Sequence, residues 1–278
     1  MELILNTIEV KSVKKFYKLY KRGYLFENIK IDKDKWEDLY NFLFKQKEEA
    51  YKYACLGYCH YYGYSGSIDY ERAIYWLEKA ASLDDIRAQY TLASCLENGR
   101  GIIKDDNKAI YWYEKAARGG YVETQCYLGI CYEEGKLVSK DASRATYWYE
   151  MAATSGNDKA QVYIAHCYNE GIGVSRDYKK AFDWFQKAAE QGNVLGEIGL
   201  GLCYYLGKGV TVDKNKAYFW ILKAATKGQK EAQYSIGVFY ETGEVVSKDI
   251  SLAKKWYDLA ASQGDKDAQE ALKRLENS

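Results

Sequence analysis

A period of 36 residues is the feature that most limits what this chain can fold into. Trp76, Trp112, Trp148, Trp184, Trp220 and Trp256 stand at successive steps of 36, and self-similarity at that length marks a stacked repeat rather than one or two globular domains. Residues 86–121 show the unit: a helix over Ile86–Asn98, a turn from Gly99 to Asp105, and a second helix over Asp106–Arg118 closed by Gly119–Gly120. Six such hairpins begin at Ala50, Ile86, Val122, Asp158, Val194 and Lys230.

Each column of the repeat has a physical reason. Gly63, Gly99, Gly135, Gly171, Gly207 and Gly243 end the first helix where a left-handed residue is wanted. Six residues on, Asp69, Asp105, Asp141, Asp177, Asp213 and Asp249 are placed to accept from the free N–H groups that open the second helix. An aspartate at one position of every repeat argues for folding rather than catalysis. The second helix carries alanine, then the tryptophan three residues later, then an Ala-Ala pair, and this spacing predicts a buried indole with alanines making room for it. The absence of proline from the chain suits nearly continuous helix with glycine-made turns. A second turn glycine is present at Gly101, Gly173 and Gly209 but is replaced by Leu137 and Val245, where a different turn geometry is expected.

Residues 1–49 do not follow the period and read as an N-terminal helical cap, with one helix over residues 8–22 and a second over 35–47. The last segment, 266–278, reads as a capping helix. It has Lys273, Arg274 and Glu276 where an outer polar face is required.

Five of the seven cysteines, Cys59, Cys95, Cys131, Cys167 and Cys203, share one column. Neighbouring repeats put them about 10 Å apart, the helix packing distance, beyond the roughly 7 Å limit between Cα atoms for a disulfide. They read as buried thiols of a reducing compartment. With 40 basic and 39 acidic residues the net charge is +1, so bulk charge selects neither nucleic acid nor an anionic membrane. No apolar run approaches the ~18 residues of a membrane span, and the first ten residues lack the basic start of a signal peptide. A cytoplasmic protein without direct membrane insertion is the expectation.

The string Tyr163-Ile164-Ala165-x-Cys167-Tyr168-x-x-Gly171-x-Gly173-Val174-x-x-Asp177-x-x-x-Ala181-x-x-Trp184-x-x-x-Ala188-Ala189-x-x-Gly192 resembles the Sel1-like repeat family over roughly residues 50–276. The resemblance implies an all-α fold, a right-handed superhelical α/α solenoid of helix-turn-helix repeats, serving as a non-enzymatic adaptor for other proteins. Members of the family are found in bacterial signalling, host interaction, immunity to secreted toxins and eukaryotic quality control. A secreted, disulfide-bonded branch linked to penicillin binding has a second cysteine at the end of the second helix. Here that position holds Ala81, Ala117, Ala153, Ala189, Ala225 and Ala261.

Within the first helices, the columns of Arg87, Thr91, Ser94 and Asn98 vary between repeats while their neighbours stay fixed. They fall at i, i+4, i+7 and i+11, one helical stripe, which by analogy lines the concave side of a solenoid. The candidate protein-binding residues there are Tyr58, Tyr62, Arg87, Tyr127, Ile130, Glu134, Tyr163, His166, Glu170, Leu202, Leu206 and Val238. The competing expectation is that adjacent first helices bury most of this stripe. No catalytic, cofactor-binding or metal-ligating set is assigned. His60 occupies a column otherwise filled by tyrosine, and His166 a variable one. The Ser-x-x-Lys strings at Ser12–Lys15 and Ser251–Lys254 lack the companion motifs of penicillin-recognising enzymes. A hydrolase acting on β-lactam or cell-wall substrates is thus the alternative to a scaffold, and an RNA-reading solenoid is disfavoured by the neutral charge.

Overall fold

The computed structural model describes residues 8–10, 18, 29–31, 36–47 and 49–276. Strand β1 (Ile8–Val10) pairs in parallel with β2 (Ile29–Ile31), in the register Ile8↔Ile29. The helix expected from residue 8 therefore does not begin there. Ile-Glu-Val and Ile-Lys-Ile put β-branched residues at alternate positions, which a strand accommodates better than a helix. The rest of that expected helix lies outside the described residues, apart from Lys18.

Thirteen-residue helices then follow in pairs, after a shorter α1 (Trp36–Phe44). The first unit of the chain, residues 1–140, holds α1, α2 (Glu49–Tyr61), α3 (Tyr70–Ser82), α4 (Ile86–Asn98), α5 (Asp106–Arg118) and α6 (Val122–Glu134). The second, residues 141–278, holds α7 (Ala142–Thr154), α8 (Asp158–Glu170), α9 (Tyr178–Glu190), α10 (Val194–Leu206), α11 (Lys214–Thr226), α12 (Lys230–Thr242), α13 (Ile250–Ser262) and the eleven-residue α14 (Lys266–Glu276). Within each unit every helix packs on the one before it and the one after it, the arrangement of an α/α repeat solenoid.

The expected caps are present. Each of the six column aspartates accepts the N–H of the residue three positions on, at 2.9–3.0 Å. The glycines ending the first helices have φ between 67° and 77°. Leu137 keeps the left-handed turn of the glycines it replaces, with φ 67°, whereas Val245 is not left-handed. The turn thus changes at one of the two replacements and not at the other.

The core differs from the expectation at the register tryptophan. Trp148 is buried, but the other five lie at the edge of the core, half-buried. The residue that fills the space between helices is the next one, at Leu77, Tyr113, Tyr149, Phe185, Ile221 and Tyr257, all buried. It sits four residues after the buried column alanine, on the same helix face, while the tryptophan three after it is turned toward the rim. There the indoles of Trp76, Trp112, Trp184 and Trp220 are covered by a lysine one turn on, with Lys187 Nζ 3.9 Å and Lys223 Nζ 4.7 Å from the ring centres of Trp184 and Trp220.

A column of glutamines links the repeats. Gln89, Gln125, Gln161 and Gln233 are buried, and their amides donate to the carbonyls of Ala81, Ala117, Ala153 and Ala225 at 2.8–3.2 Å. Those carbonyls lie at the end of the second helix of the preceding repeat, where each also accepts the backbone N–H of the residue three positions on. In two cases a second glutamine completes the link: Gln191 donates to Gln161 and Gln263 to Gln233, each at 2.8 Å. The fifth repeat breaks the column with Glu197. Its side chain is fully buried, and Oε1 meets Lys223 Nζ at 2.9 Å and Lys227 Nζ at 2.8 Å. Its Oε2 has no hydrogen-bond partner among the described residues.

A carboxylate cannot donate to Ala189, the register equivalent of the other four acceptors, and a buried oxygen without a partner costs about 1–3 kcal/mol. Glu197→Gln is expected to restore the link and raise the thermal midpoint by about 2–4 °C, the two lysines being exposed enough to solvate alone. A lowered midpoint in a thermal melt would show that the lysine pairing outweighs the lost link.

Candidate functional site

The variable stripe is best followed in each unit by itself. In the first unit, α2 places Tyr58 inside, 5% exposed, with its hydroxyl 3.0 Å from Thr91 Oγ1. Tyr62, one turn later, is exposed and stacks on Tyr58 with ring centres 6.3 Å apart. Arg87 is half-buried and lines a cavity of about 450 Å³ with Tyr51, Asp84, Asp85 and Tyr121. Burial pushes the Asp85 carboxyl up, against the hydrogen bond it accepts from Ala88 N while capping α4. Asp84 stands in a column otherwise filled by glycine and keeps the left-handed φ of 59°.

On α6, Tyr127 and Ile130 are half-buried and Glu134 is exposed. Tyr127 is tied into a cluster around Glu97, a residue the sequence reading passed over. Its hydroxyl donates to Glu97 Oε1 at 2.7 Å and accepts from Lys136 Nζ at 2.7 Å. Lys136 Nζ also lies 2.8 Å from Glu97 Oε1, and Tyr113 donates to Oε2 at 2.8 Å. The rings of Tyr113 and Tyr127 meet edge to face at 5.1 Å. Burial raises the proton affinity of Glu97, but the bonds from Lys136, Tyr127 and Tyr113 outweigh it and hold the carboxyl below its usual value. Burial and the facing carboxylate push both phenols far up, so they stay protonated as donors.

In the second unit, Tyr163 on α8 is half-buried and stacks on Tyr149 at 4.9 Å, while His166 and Glu170 are exposed. On α10 the stripe becomes aliphatic: Leu195, Leu202 and Leu206 are 54%, 43% and 54% exposed. Val238 on α12 is half-buried against the cluster of Ala253, Tyr257 and Ala260. The stripe is thus neither wholly surface nor wholly core. Tyr58 belongs to the packing, Tyr127 and Tyr163 are half-buried, and Tyr62 and Glu134 in the first unit and His166, Glu170, Leu202 and Leu206 in the second are exposed.

Groups suited to chemistry are otherwise held in the framework. All seven cysteines are buried, with no disulfide among them, and burial pushes the thiols of Cys95, Cys131 and Cys203 up to about 11. His60 is buried, with Nδ1 3.0 Å from Ser65 Oγ, and burial lowers its proton affinity. The sequence reading also missed an exposed aromatic column beside the tryptophans. Tyr75, Tyr111, Tyr147 and Phe219 are 53–58% exposed, each meeting its neighbouring indole edge to face at 4.9–5.2 Å. The signal was available, since these residues share one repeat position.

The depressed carboxyl of Glu97 makes a signed prediction. A group whose folded value lies below its unfolded value, near 4.5, stabilises the fold above that pH, and the contribution is lost as pH falls through the folded value. Wild type is therefore expected to lose stability more steeply than Glu97→Gln in urea titrations carried from neutral pH to below about 4.5. Parallel pH profiles for the two proteins would contradict the cluster's electrostatic role.

Comparison with known proteins follows the period. The Sel1 repeat family model matches residues 50–85, 86–121, 122–157, 158–193, 194–229 and 230–265. No functionally curated protein matches the chain. Among solved structures, a protective antigen of uropathogenic Escherichia coli displaying an SLR fold is 26% identical, with a TM-score of 0.73 over 96% of this chain and 59% of its own. This chain therefore spans about three-fifths of that protein's length. A Sel1 repeat protein of Oxalobacter formigenes is 29% identical, with a TM-score of 0.71 over 94% of this chain and 75% of its own.

Proposed function

Because the chain belongs to the Sel1 repeat family, we propose that it is a non-enzymatic scaffold that holds a protein or peptide against the variable stripe of its first helices. Proteins built of such repeats generally mediate protein interaction. The observation that carries the reading here is the aliphatic face of α10, where Leu195, Leu202 and Leu206 are each about half exposed on one helix. An apolar strip of about 16 Å along one helix, with the exposed Glu170, Glu231 and Lys159 on the first helices before and after it in sequence, has the composition of a recognition surface with a polar rim. Tyr62 shares the column of Leu206 and Val238 that of Leu202, while Tyr127 and Tyr163 stand in the column that holds Gly199 here.

Cytoplasmic residence suits seven buried thiols with no disulfide among them. Among the described residues no helix is long and apolar enough to cross a membrane. Helices α1 and α14 cover the ends of the repeat stack in this reading. Leu39 and Leu43 of α1 and Ala268 and Ala271 of α14 are buried.

Leu202→Glu/Leu206→Glu replaces two exposed side chains and is expected to leave the helical circular dichroism spectrum unchanged. Affinity capture from source-organism lysate, read by mass spectrometry, is then expected to recover a protein with wild type and lose it with the double variant. Equal recovery by both would remove the stripe of α10 from the binding surface.

A further inference from the structure

We propose that the surface above Gly199 takes a tyrosine side chain from a partner segment, in the place that the chain's own Tyr127 fills two repeats earlier. The proposal rests on the scaffold reading and specifies what its groove binds. Its template is internal. Tyr127 packs on Tyr113 at 5.1 Å, and one repeat later Tyr163 packs on Tyr149 at 4.9 Å. In the following repeat the lower ring is retained as Phe185, buried at 8% exposure, but the covering residue is Gly199.

The ring of Phe185 rises against the backbone of Gly199, so that a Cβ there would strike it. Gly199 itself is half-buried, with the Phe185 ring the nearest side chain to it. Leu195 and Leu202, one turn to either side, stand exposed around it. A flat ring lying on the glycine between two leucines would bury apolar surface on three sides and sit next to an aromatic edge, the arrangement aromatic pairs favour.

The polar end of the template has changed in a way that sets the partner's charge. Tyr127 meets the Glu97 carboxylate and Lys136. Two repeats on, those positions hold Asn169 and Lys208. The cation is kept and the carboxylate is lost. Lys208 lies over the Tyr178 ring at 5.3 Å and makes no ion pair among the described residues. An incoming phenol can accept from Lys208 as Tyr127 accepts from Lys136, and an acidic residue beside the tyrosine would supply the charge that Glu97 supplies in the template. The occupant is therefore a segment with a tyrosine, an acidic neighbour and an apolar residue for the leucines.

Panning a phage-displayed library of random 12-residue peptides on the intact protein tests this. Enriched peptides are expected to carry a tyrosine next to Asp or Glu. As synthetic peptides they should lose about tenfold or more in affinity on replacing that tyrosine by alanine, and bind Lys208→Glu several-fold more weakly in fluorescence polarisation. Peptides that bind wild type but not Leu206→Glu, yet show no dependence on an aromatic residue, would overturn this proposal while leaving the scaffold reading in place. Peptides that bind Leu206→Glu as well as wild type would sink the groove itself. Failure to enrich any peptide counts against both.

Discussion

At the junctions marked by Gly173 and Gly209, one repeat packs on the next with backbone against backbone. At Gly173 an added Cβ would strike the carbonyl of Ala142, and at Gly209 that of Tyr178, in each case at the start of the second helix of the preceding repeat. Both glycines are also left-handed, with φ of 67° and 73°. The turn of one hairpin thus rests directly on the helix before it, at a separation only hydrogen can fill. The glutamine links do not require this glycine, since Gln125 and Gln233 reach the previous repeat from hairpins whose turns carry Leu137 and Val245.

Those turns were legible because each is a local rule repeated six times. A glycine that needs positive φ and an aspartate that caps the next helix are readable from spacing alone, and both columns behave as read. The interior was less legible. Tryptophan drew attention as the largest conserved-looking ring of the period, yet burial goes to the residue after it, which varies among Leu, Tyr, Phe and Ile. A side chain is buried by its angle on the helix, four residues from the column alanine rather than three, and not by its size. The glutamine column was missed for the opposite reason, since a polar residue at a helical position reads as surface until its partner on another repeat is known.

The variable stripe divides between surface and packing. Variation between repeats was read as exposure, and for Leu202 and Leu206 the two agree. Tyr58 varies as well but is buried, because its hydroxyl finds Thr91 on the next first helix. Variation at a position means only that the repeats no longer share one neighbour there. Where the chain supplies a partner, as Glu97 does for Tyr127, the variation is absorbed internally. The same limit applied at residues 8–10, where no period existed to guide the reading and β-branched alternation, not helical spacing, was the operative signal.

A repeat protein offers a control that a single domain lacks, since each position is solved several times in one molecule. At the position of Gln161 and Gln233 the common solution is a neutral amide closed by a second glutamine, and the fifth repeat replaces both members at once with Glu197 and Lys227. At the position of Tyr127 and Tyr163 the common solution is a ring on a ring, and that same repeat removes the upper ring, keeps the lower one and turns the flanking residues to leucine. Two departures in one repeat, one sealed inside and one open to solvent, point to different causes. The sealed one is compensated within the chain by a lysine that reaches the carboxylate. The open one brings the Phe185 ring against the backbone of Gly199 and leaves Leu195, Leu202 and Leu206 exposed on the helix, which is the surface the scaffold reading uses.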